Sequence, residues 1–210
     1  MVADGSRYVV VIPVKPPGIG KTRLVGVPVE QRVGLATAFA TDTVTACLGT
    51  PGVAQVLVTT DDAQFAATLT SLGAAACPDG SSGLNQALVQ AVAEAARRWP
   101  DLRPVALCAD LPALRAEDLA AALATTTTRT SYVADADGTG TTLYTASYGD
   151  FAPHFGVGSA AAHEAAGAAP VAGDLPGLRH DVDDIVSLRA AVTLGVGPAT
   201  SAALAAFGLG

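Results

Sequence analysis

The sequence has little positive charge. Its 210 residues include 12 Lys and Arg against 19 Asp and Glu, which gives a formal net charge of −7. Because nucleic-acid-binding proteins normally present a basic face, this composition argues against a nucleic-acid partner. The negative electrostatic field of such a chain repels anions, so binding of an anionic ligand requires local cations or metal ions.

Paired cysteines are also missing. The chain has three cysteines, Cys47, Cys77 and Cys108, which are far apart and form no CxxC motif. An odd number at these spacings argues against a disulfide framework and against a structural zinc site. We interpret the three residues as small buried thiols.

No apolar run approaches the roughly 18 residues that a membrane-spanning helix needs. The first residues, MVADGSRYVVVIPVK, carry an acid before the apolar stretch, unlike a signal peptide. We therefore expect a soluble cytoplasmic protein with no membrane partner. Half of the residues are hydrophobic and 15% are charged, which suits one folded domain over residues 1–210. No linker or internal repeat divides it.

The apolar pattern predicts an α/β fold with a mixed, mostly parallel sheet flanked by helices. Strands and helices alternate along the first part of the chain, which is typical of a parallel sheet. The predicted strands are 8–14, 55–60, 74–77, 104–109, 131–134, 141–147 and 178–182. The predicted helices are 29–48, 62–72, 84–98, 115–123, 160–168, 184–194 and 197–209. Asp61 or Asp62 is the expected cap of the second helix.

The stretch VVVIPVKPPGIGKTRLVGV, residues 9 to 27, raises the question of a phosphate-binding P-loop. That motif reads G-x-x-x-x-G-K-[ST], and its backbone amides surround a phosphate. Here Lys15 stands where the first Gly belongs, and two prolines remove amides from the loop. The exact P-loop therefore fails. What remains is a basic loop after a buried strand, with Lys15, Lys21 and Arg23 either binding an anion or lying solvated at the surface.

Acidic residues are expected at the same edge of the sheet. Asp110 follows a buried strand, and Asp181 and Asp183 are two residues apart, which in a strand places both on one face. Clustered carboxylates favour a bound cation, and Mg²⁺ prefers oxygen ligands. The alternative interpretation is that Asp183 or Asp184 caps the last long helix and that Asp110 is an ordinary loop acid.

Two Gly-rich turns, at 138–141 and 155–159, could bring backbone amides close to a phosphate or carboxylate. Ser159 is expected at a helix N-terminus, where anions are favoured. His154, His163 and His180 lack the spacing of a metal triad, so we interpret them as surface or supporting residues. No Ser–His or Cys–His pair for nucleophilic catalysis is visible.

Taken in order, several segments resemble one known family. They are IPVKPPGIGKTRL, GLNQAL, ADLPAL, ADADGTGTTLYTA, HFGVGSAAAH and GLRHDVDDIVSLRAAVTLGVGPAT. Together they resemble the guanylyltransferases of coenzyme F(420) biosynthesis, which use phosphoenolpyruvate or 2-phospho-L-lactate. The match runs from about Val9 to Thr200. It implies a nucleotidyltransferase-type, Rossmann-like fold and transfer of a guanylyl group from GTP to a small phosphorylated three-carbon acid.

The resemblance also implies roles for individual residues, which fall into three groups. Lys15, Lys21 and Arg23 would bind the GTP phosphates, with Asn85 touching the nucleotide. Asp110, Asp181 and Asp183 would hold Mg²⁺, and Lys15, Lys21, Arg23 and Asp110 would be the catalytic set. Thr141, Gly156 and Ser159 would bind the acid.

The chain departs from the family pattern at two places. Asp184-Ile185 stands where Thr-Pro is expected, a change predicted to affect only the helix cap. Gly158 stands where an Asp would be unsurprising, which affects the contacts beside Ser159.

Several alternatives stay open from the sequence. The acceptor could be phosphoenolpyruvate, 2-phospho-L-lactate or 3-phospho-D-glycerate, and the Ala- and Gly-rich composition favours the first by association. A non-catalytic nucleotide-binding module would keep the basic loop without needing three metal carboxylates. The expected partners are GTP, the acid, and the next enzyme of coenzyme F(420) biosynthesis, which receives the product. A homodimer is one assembly compatible with the sequence, which does not fix the oligomeric state.

Overall fold

The computed structural model describes residues 7–15, 24, 26–126 and 129–209. Within this part of the chain, seven strands form one sheet in the order β3-β2-β1-β4-β6-β5-β7. β1, β2, β3 and β4 run parallel, and β6 is antiparallel to both β4 and β5. The predicted α/β fold with a mixed, mostly parallel sheet is confirmed.

The strands are short and rich in valine, threonine and alanine. They are β1 (Tyr8–Pro13), β2 (Val53–Thr59), β3 (Ala75–Cys77), β4 (Arg103–Leu107), β5 (Ser131–Ala134), β6 (Thr141–Thr145) and β7 (Ala169–Pro170). β1 is apolar along its whole length because it is covered on both faces. Tyr8, Val10 and Ile12 join one hydrophobic cluster, and Val9 and Val11 join the cluster on the other side.

Eight α-helices flank this sheet in the described residues. They are α1 (Val29–Leu48), α2 (Ala63–Thr70), α3 (Leu84–Arg98), α4 (Ala116–Ala124), α5 (Ser159–Ala165), α6 (Pro176–Arg179), α7 (Ile185–Leu194) and α8 (Pro198–Phe207). None of the helices described is long and apolar enough to cross a membrane. Asp62 caps α2, since its carboxylate accepts the Phe65 N–H at 2.9 Å.

The predicted strand at 178–182 is wrong. Pro176 begins the short helix α6 instead, and residues 180–183 belong to no strand. Proline suits the first helical turn because it has no N–H to donate. The strand predicted at 104–109 ends at Leu107, so Asp110 lies in the turn beyond it. The two-residue strand β7 and a 3-10 helix at Tyr148–Asp150 were not predicted.

A third hydrophobic cluster joins α1, α7 and α8. A buried acid on α1 holds the last of these helices, α8, in place. Asp42 on α1 is only 7% exposed. Its carboxylate accepts the N–H groups of Ala199 at 3.0 Å and Thr200 at 2.8 Å, in the first turn of α8. A carboxylate at this end of a helix satisfies amides that have no partner within the helix. Asp42 thus docks α8 onto α1.

Asp42→Ala is expected to lower the free energy of unfolding by about 2 kcal/mol, because it removes two charge-assisted hydrogen bonds and leaves buried amides unpaired. Asp42→Asn keeps one acceptor oxygen and should lose less. Urea unfolding at pH 7 measures both. Thr45→Ala, on the exposed side of α1, serves as the control. Equal stability of Asp42→Ala and the control would contradict this docking role.

Candidate active site

The candidate site lies where the order of the strands reverses, between β1 and β4. These strands are parallel neighbours, with β2 and β3 on one side and β6, β5 and β7 on the other. Ligands of open α/β sheets bind at such a point, beyond the carboxyl ends of the strands. Lys15 follows β1 and Asp110 follows β4. β6 begins at this edge too, since the Thr142 carbonyl accepts the Cys108 N–H at 2.9 Å.

Three acids meet at this edge. Asp110, Asp181 and Asp183 each contribute a carboxylate oxygen, and these oxygens lie within 4.8 Å of one another. Asp110 and Asp181 are half-buried and Asp183 is exposed. We call these three residues the acid cluster. The structure brings them together although Asp181 and Asp183 lie outside any strand.

A buried threonine holds the backbone around Asp110. Thr43 on α1 is fully buried, and its Oγ1 accepts the Leu111 N–H at 3.1 Å. The same hydroxyl lies 3.1 Å from the Ala109 carbonyl and 2.9 Å from the Phe39 carbonyl, either of which accepts its proton. Thr43 therefore fixes the peptide groups on both sides of Asp110. Sequence reasoning missed it, and the only signal was a hydroxyl on an inward-facing helix position.

Backbone contacts bring the second acid pair to Asp110. The Val182 N–H donates to the Asp110 carbonyl at 3.0 Å. α6, just before this pair, lies so close to the turn after Asp110 that a Cβ on Gly177 would overlap the Ala113 carbonyl. Only glycine allows this approach. Arg179 anchors the other side of α6 through hydrogen bonds to the Ala134 and Val171 carbonyls at 2.9 and 2.8 Å.

Asp184, not Asp183, caps α7. The Asp184 Oδ1 accepts the N–H groups of Val186 at 2.9 Å and Ser187 at 2.8 Å. In return the Ser187 Oγ accepts the N–H groups of Asp183 and Asp184, each at 3.0 Å. This reciprocal capping box fixes the backbone that carries Asp183. The sequence left open whether Asp183 or Asp184 caps this helix. The cap is Asp184, which is not one of the three acids of the acid cluster.

One of the three predicted cations is described. Lys15 is exposed just beyond β1. Lys21 and Arg23 lie outside the described residues, so their predicted contacts with the phosphates stay predictions.

The two Gly-rich turns differ in how their amides are used. At 138–141 the Asp135 carboxylate accepts the N–H groups of Thr139 at 2.9 Å and Gly140 at 2.7 Å. This turn therefore binds its own acid and keeps those two amides from a ligand. Thr141, at its end, is buried, and its hydroxyl contacts His163.

The second turn, residues 155–158, is called the FGVG loop below. Gly156 has a φ of +134° and Gly158 a φ of +71°, a backbone region that favours glycine. Within the part of the chain that the structure describes, no acceptor meets the N–H groups of Gly156, Val157 and Gly158. α5 begins at Ser159 as expected, but the Ser159 side chain is buried. The loop therefore presents its main-chain N–H groups as exposed hydrogen-bond donors, a pattern that also occurs in anion-binding loops.

Asn85 contacts the backbone at the start of the FGVG loop, and His163 contacts the backbone of His154 just before it. The Asn85 side chain uses its oxygen and its nitrogen on Phe155, so the predicted nucleotide contact of Asn85 stays a prediction. His163 is fully buried. Burial, and secondarily the nearby charge of His154, lower its pKa to about 4, and the Ser159 carbonyl partly opposes this shift. His163 is therefore neutral near pH 7.

The sheet order and the placement of the site define a nucleotidyltransferase-type fold, which comparison with solved structures confirms. A putative nucleotide-diphospho-sugar transferase from Desulfovibrio desulfuricans aligns with a TM-score of 0.64, at 16% identity, over 86% of this chain and 84% of that chain. The 4-diphosphocytidyl-2C-methyl-D-erythritol synthase aligns with a TM-score of 0.59, at 12% identity, over 90% of this chain and 98% of that chain.

Residues 8–166 match the family described as "Guanylyl transferase CofC like", and the chain belongs to this family. The phosphoenolpyruvate guanylyltransferase of Salinispora arenicola is 46% identical over 200 residues, which cover 92% of each chain. The protein of that name from Thermomonospora curvata is 48% identical over 196 residues, covering 91% of this chain and 86% of that chain. The family resemblance found in the sequence is confirmed.

Proposed function

We propose that this chain transfers the guanylyl group of GTP to phosphoenolpyruvate and releases pyrophosphate. The product is enolpyruvoyl-2-diphospho-5'-guanosine, which the next enzyme of coenzyme F(420) biosynthesis receives. The observation that carries the proposal is the acid cluster at the reversal of strand order, in a chain whose relatives are named phosphoenolpyruvate guanylyltransferase. A non-catalytic nucleotide-binding module would have no need for these three carboxylates.

The acid cluster suits Mg²⁺. Its donors are all carboxylate oxygens, which Mg²⁺ prefers, and oxygens within 4.8 Å of one another repel unless a cation joins them. Asp110, Asp181 and Asp183 would hold the ion, with Thr43 and Ser187 fixing the backbone behind them. When bound, Mg²⁺ neutralises phosphate charge and stabilises the departing pyrophosphate.

The basic loop supplies the remaining positive charge. In a chain with a net charge of −7, cations must be concentrated where two polyanions meet. Lys15 lies at the carboxyl end of β1, beside the strand that leads to Asp110. Together with Lys21 and Arg23 it would bind the triphosphate and oppose the charge that develops on the leaving group.

The reaction needs no activated serine or cysteine. A phosphate monoester has a second pKa of about 6, so the attacking oxygen of phosphoenolpyruvate is already ionised near pH 7. That oxygen forms a bond to the α-phosphorus of GTP. The bond from the α-phosphorus to the oxygen that bridges to the β-phosphate breaks, and pyrophosphate leaves with the electron pair. The protein's task is to align the two oxygens and to neutralise charge.

The FGVG loop and Thr141 would bind the acid. The N–H groups of Gly156, Val157 and Gly158 offer donors to a phosphate or carboxylate. Ser159 follows them and starts α5. Its side chain is buried, so the main-chain donors of the loop would bind the anion.

Release of pyrophosphate tests the proposal. We expect purified protein with GTP and Mg²⁺ to release pyrophosphate fastest when phosphoenolpyruvate is present, compared at equal concentration with 2-phospho-L-lactate and 3-phospho-D-glycerate. A reaction without acid measures hydrolysis of GTP, and ATP in place of GTP measures base selectivity. A faster reaction with either of the other acids would reassign the acceptor. Release that is independent of all three acids would refute guanylyl transfer.

A further inference from the structure

The backbone just before and at the start of the FGVG loop is held by two side chains from distant parts of the chain. One comes from α3 and the other from α5, and they contact consecutive residues, His154 and Phe155. Loops that bind anions through backbone amides need this kind of support, because their own side chains cannot fix them.

Asn85, in the first turn of α3, makes the contact with Phe155. Its Oδ1 accepts the Phe155 N–H at 2.8 Å, and its Nδ2 donates to the Phe155 carbonyl at 3.0 Å. The two bonds use both ends of the side-chain amide on one residue. This arrangement sets the position and the orientation of the peptide groups that lead into Gly156.

His163, on α5, makes the second contact. Its Nε2 accepts the His154 N–H at 2.9 Å, so Nε2 is the unprotonated nitrogen. The proton is therefore on Nδ1, which lies 3.0 Å from the Thr141 Oγ1 and donates to it. Because Nδ1 already carries a proton, the Thr141 hydroxyl accepts from it and cannot donate to it. The hydroxyl therefore donates its own proton to a different group.

The surroundings of His163 keep this tautomer in place. The ring stacks on Tyr144 with centroids 4.6 Å apart and on Tyr132 at 5.8 Å, and the edges of Phe155 and His154 lie at 5.5 and 5.7 Å. Such packing fixes the ring plane. Burial disfavours the charged imidazolium, which would lose its acceptor for the His154 N–H.

We infer that Asn85 and His163 are positioning residues for the acceptor acid: they fix the FGVG loop and direct the Thr141 hydroxyl proton toward the bound anion. This inference rests on the proposed function. It assigns Asn85 to the acceptor side of the site and gives Thr141 the role of a hydrogen-bond donor. Neither positioning residue needs to touch GTP.

Separate Michaelis constants for the two substrates test the inference. We expect Asn85→Ala to raise the KM for phosphoenolpyruvate at least tenfold and to leave the KM for GTP within about twofold. Gln86→Ala is the matched control, because it removes an exposed amide from the next position of α3 and should change neither constant.

His163 provides a second, independent variant. His163→Gln keeps an acceptor near the position of Nε2 but has no donor for Thr141, so it should also raise the KM for phosphoenolpyruvate selectively. The inference requires this selective rise in each variant that folds. An equal rise for both substrates, a rise for GTP alone, or no change in a folded variant would overturn it. If wild-type protein and Gln86→Ala both failed to use phosphoenolpyruvate, the proposed function itself would fall, and the inference with it.

Discussion

Asp183→Asn is expected to lower the turnover number at least about a hundredfold while leaving the protein folded. Loss of one of three carboxylates weakens the hold on Mg²⁺, whose stabilisation of the leaving group is worth several kcal/mol, and each 1.36 kcal/mol is a factor of ten in rate. Asp183 is exposed at the rim, so its replacement by Asn leaves no unpaired group in the core. Pyrophosphate release at saturating substrate measures the loss.

Asp184→Asn is the matched control for this experiment. Asp184 is the adjacent acid, but it caps α7 through Val186 and Ser187. Asn caps helices about as well as Asp, so the variant should keep most activity and stability. Binding of Mn²⁺ in place of Mg²⁺ gives an independent readout, with affinity lowered at least tenfold in Asp183→Asn only. Equal losses in the two variants would mean that general negative charge matters and that the acid cluster is no metal site.

Gly156→Val is expected to raise the KM for the acid at least tenfold with little effect on GTP. Gly156 has a φ of +134°, which a valine adopts only with strain of about 1–3 kcal/mol. Among the described residues, apart from the two chain neighbours of Gly156, no atom lies within 4 Å of a Cβ built at this position. The added side chain therefore projects away from the described part of the fold. The loop would move, and its three amides would lose the arrangement that binds the anion.

Gly167→Val is the control that introduces a similar backbone strain outside the FGVG loop. Gly167 has a φ of +87° and lies at the other end of α5, and no described residue beyond its two chain neighbours comes within 4 Å of a Cβ built there. It should lose a similar amount of stability in thermal unfolding but keep both Michaelis constants. If Gly156→Val bound the acid normally, the acceptor site would have to lie elsewhere. If Gly167→Val lost acid binding to the same extent, destabilisation of α5 would explain both results.

Local features of the sequence predicted most of the fold. The bounds 29–48 and 84–98 coincide with α1 and α3, because apolar spacing and start signals such as Pro28 act within a few residues. The failure at 178–182 has a physical reason too. Val182 donates its N–H to the Asp110 carbonyl, and Pro176 favours a helical turn over a further strand. In the sequence, Val182 is an apolar residue between two acids, and this local pattern does not show that the segment forms no strand.

The residues that support the site were beyond local reasoning. Thr43 contacts a residue 68 positions away, and Asn85 contacts one 70 positions away. Such bonds depend on how helices pack against the sheet, which periodicity does not specify. Asp110 was found by the rule for strand ends. Asp181 and Asp183 were found by their two-residue spacing, applied to a strand that does not form, and by the resemblance. Their approach to within 4.8 Å is a property of the folded chain alone.

The identity of the reaction product tests the central claim most directly. Protein stripped of metal with EDTA is incubated with GTP and phosphoenolpyruvate, with and without added Mg²⁺, and followed by ³¹P NMR. Guanylyl transfer predicts two mutually coupled diphosphate resonances of the new product, equimolar with pyrophosphate, and only after Mg²⁺ is restored. Formation of GMP with pyrophosphate, or the same product at full rate without metal, would contradict the account.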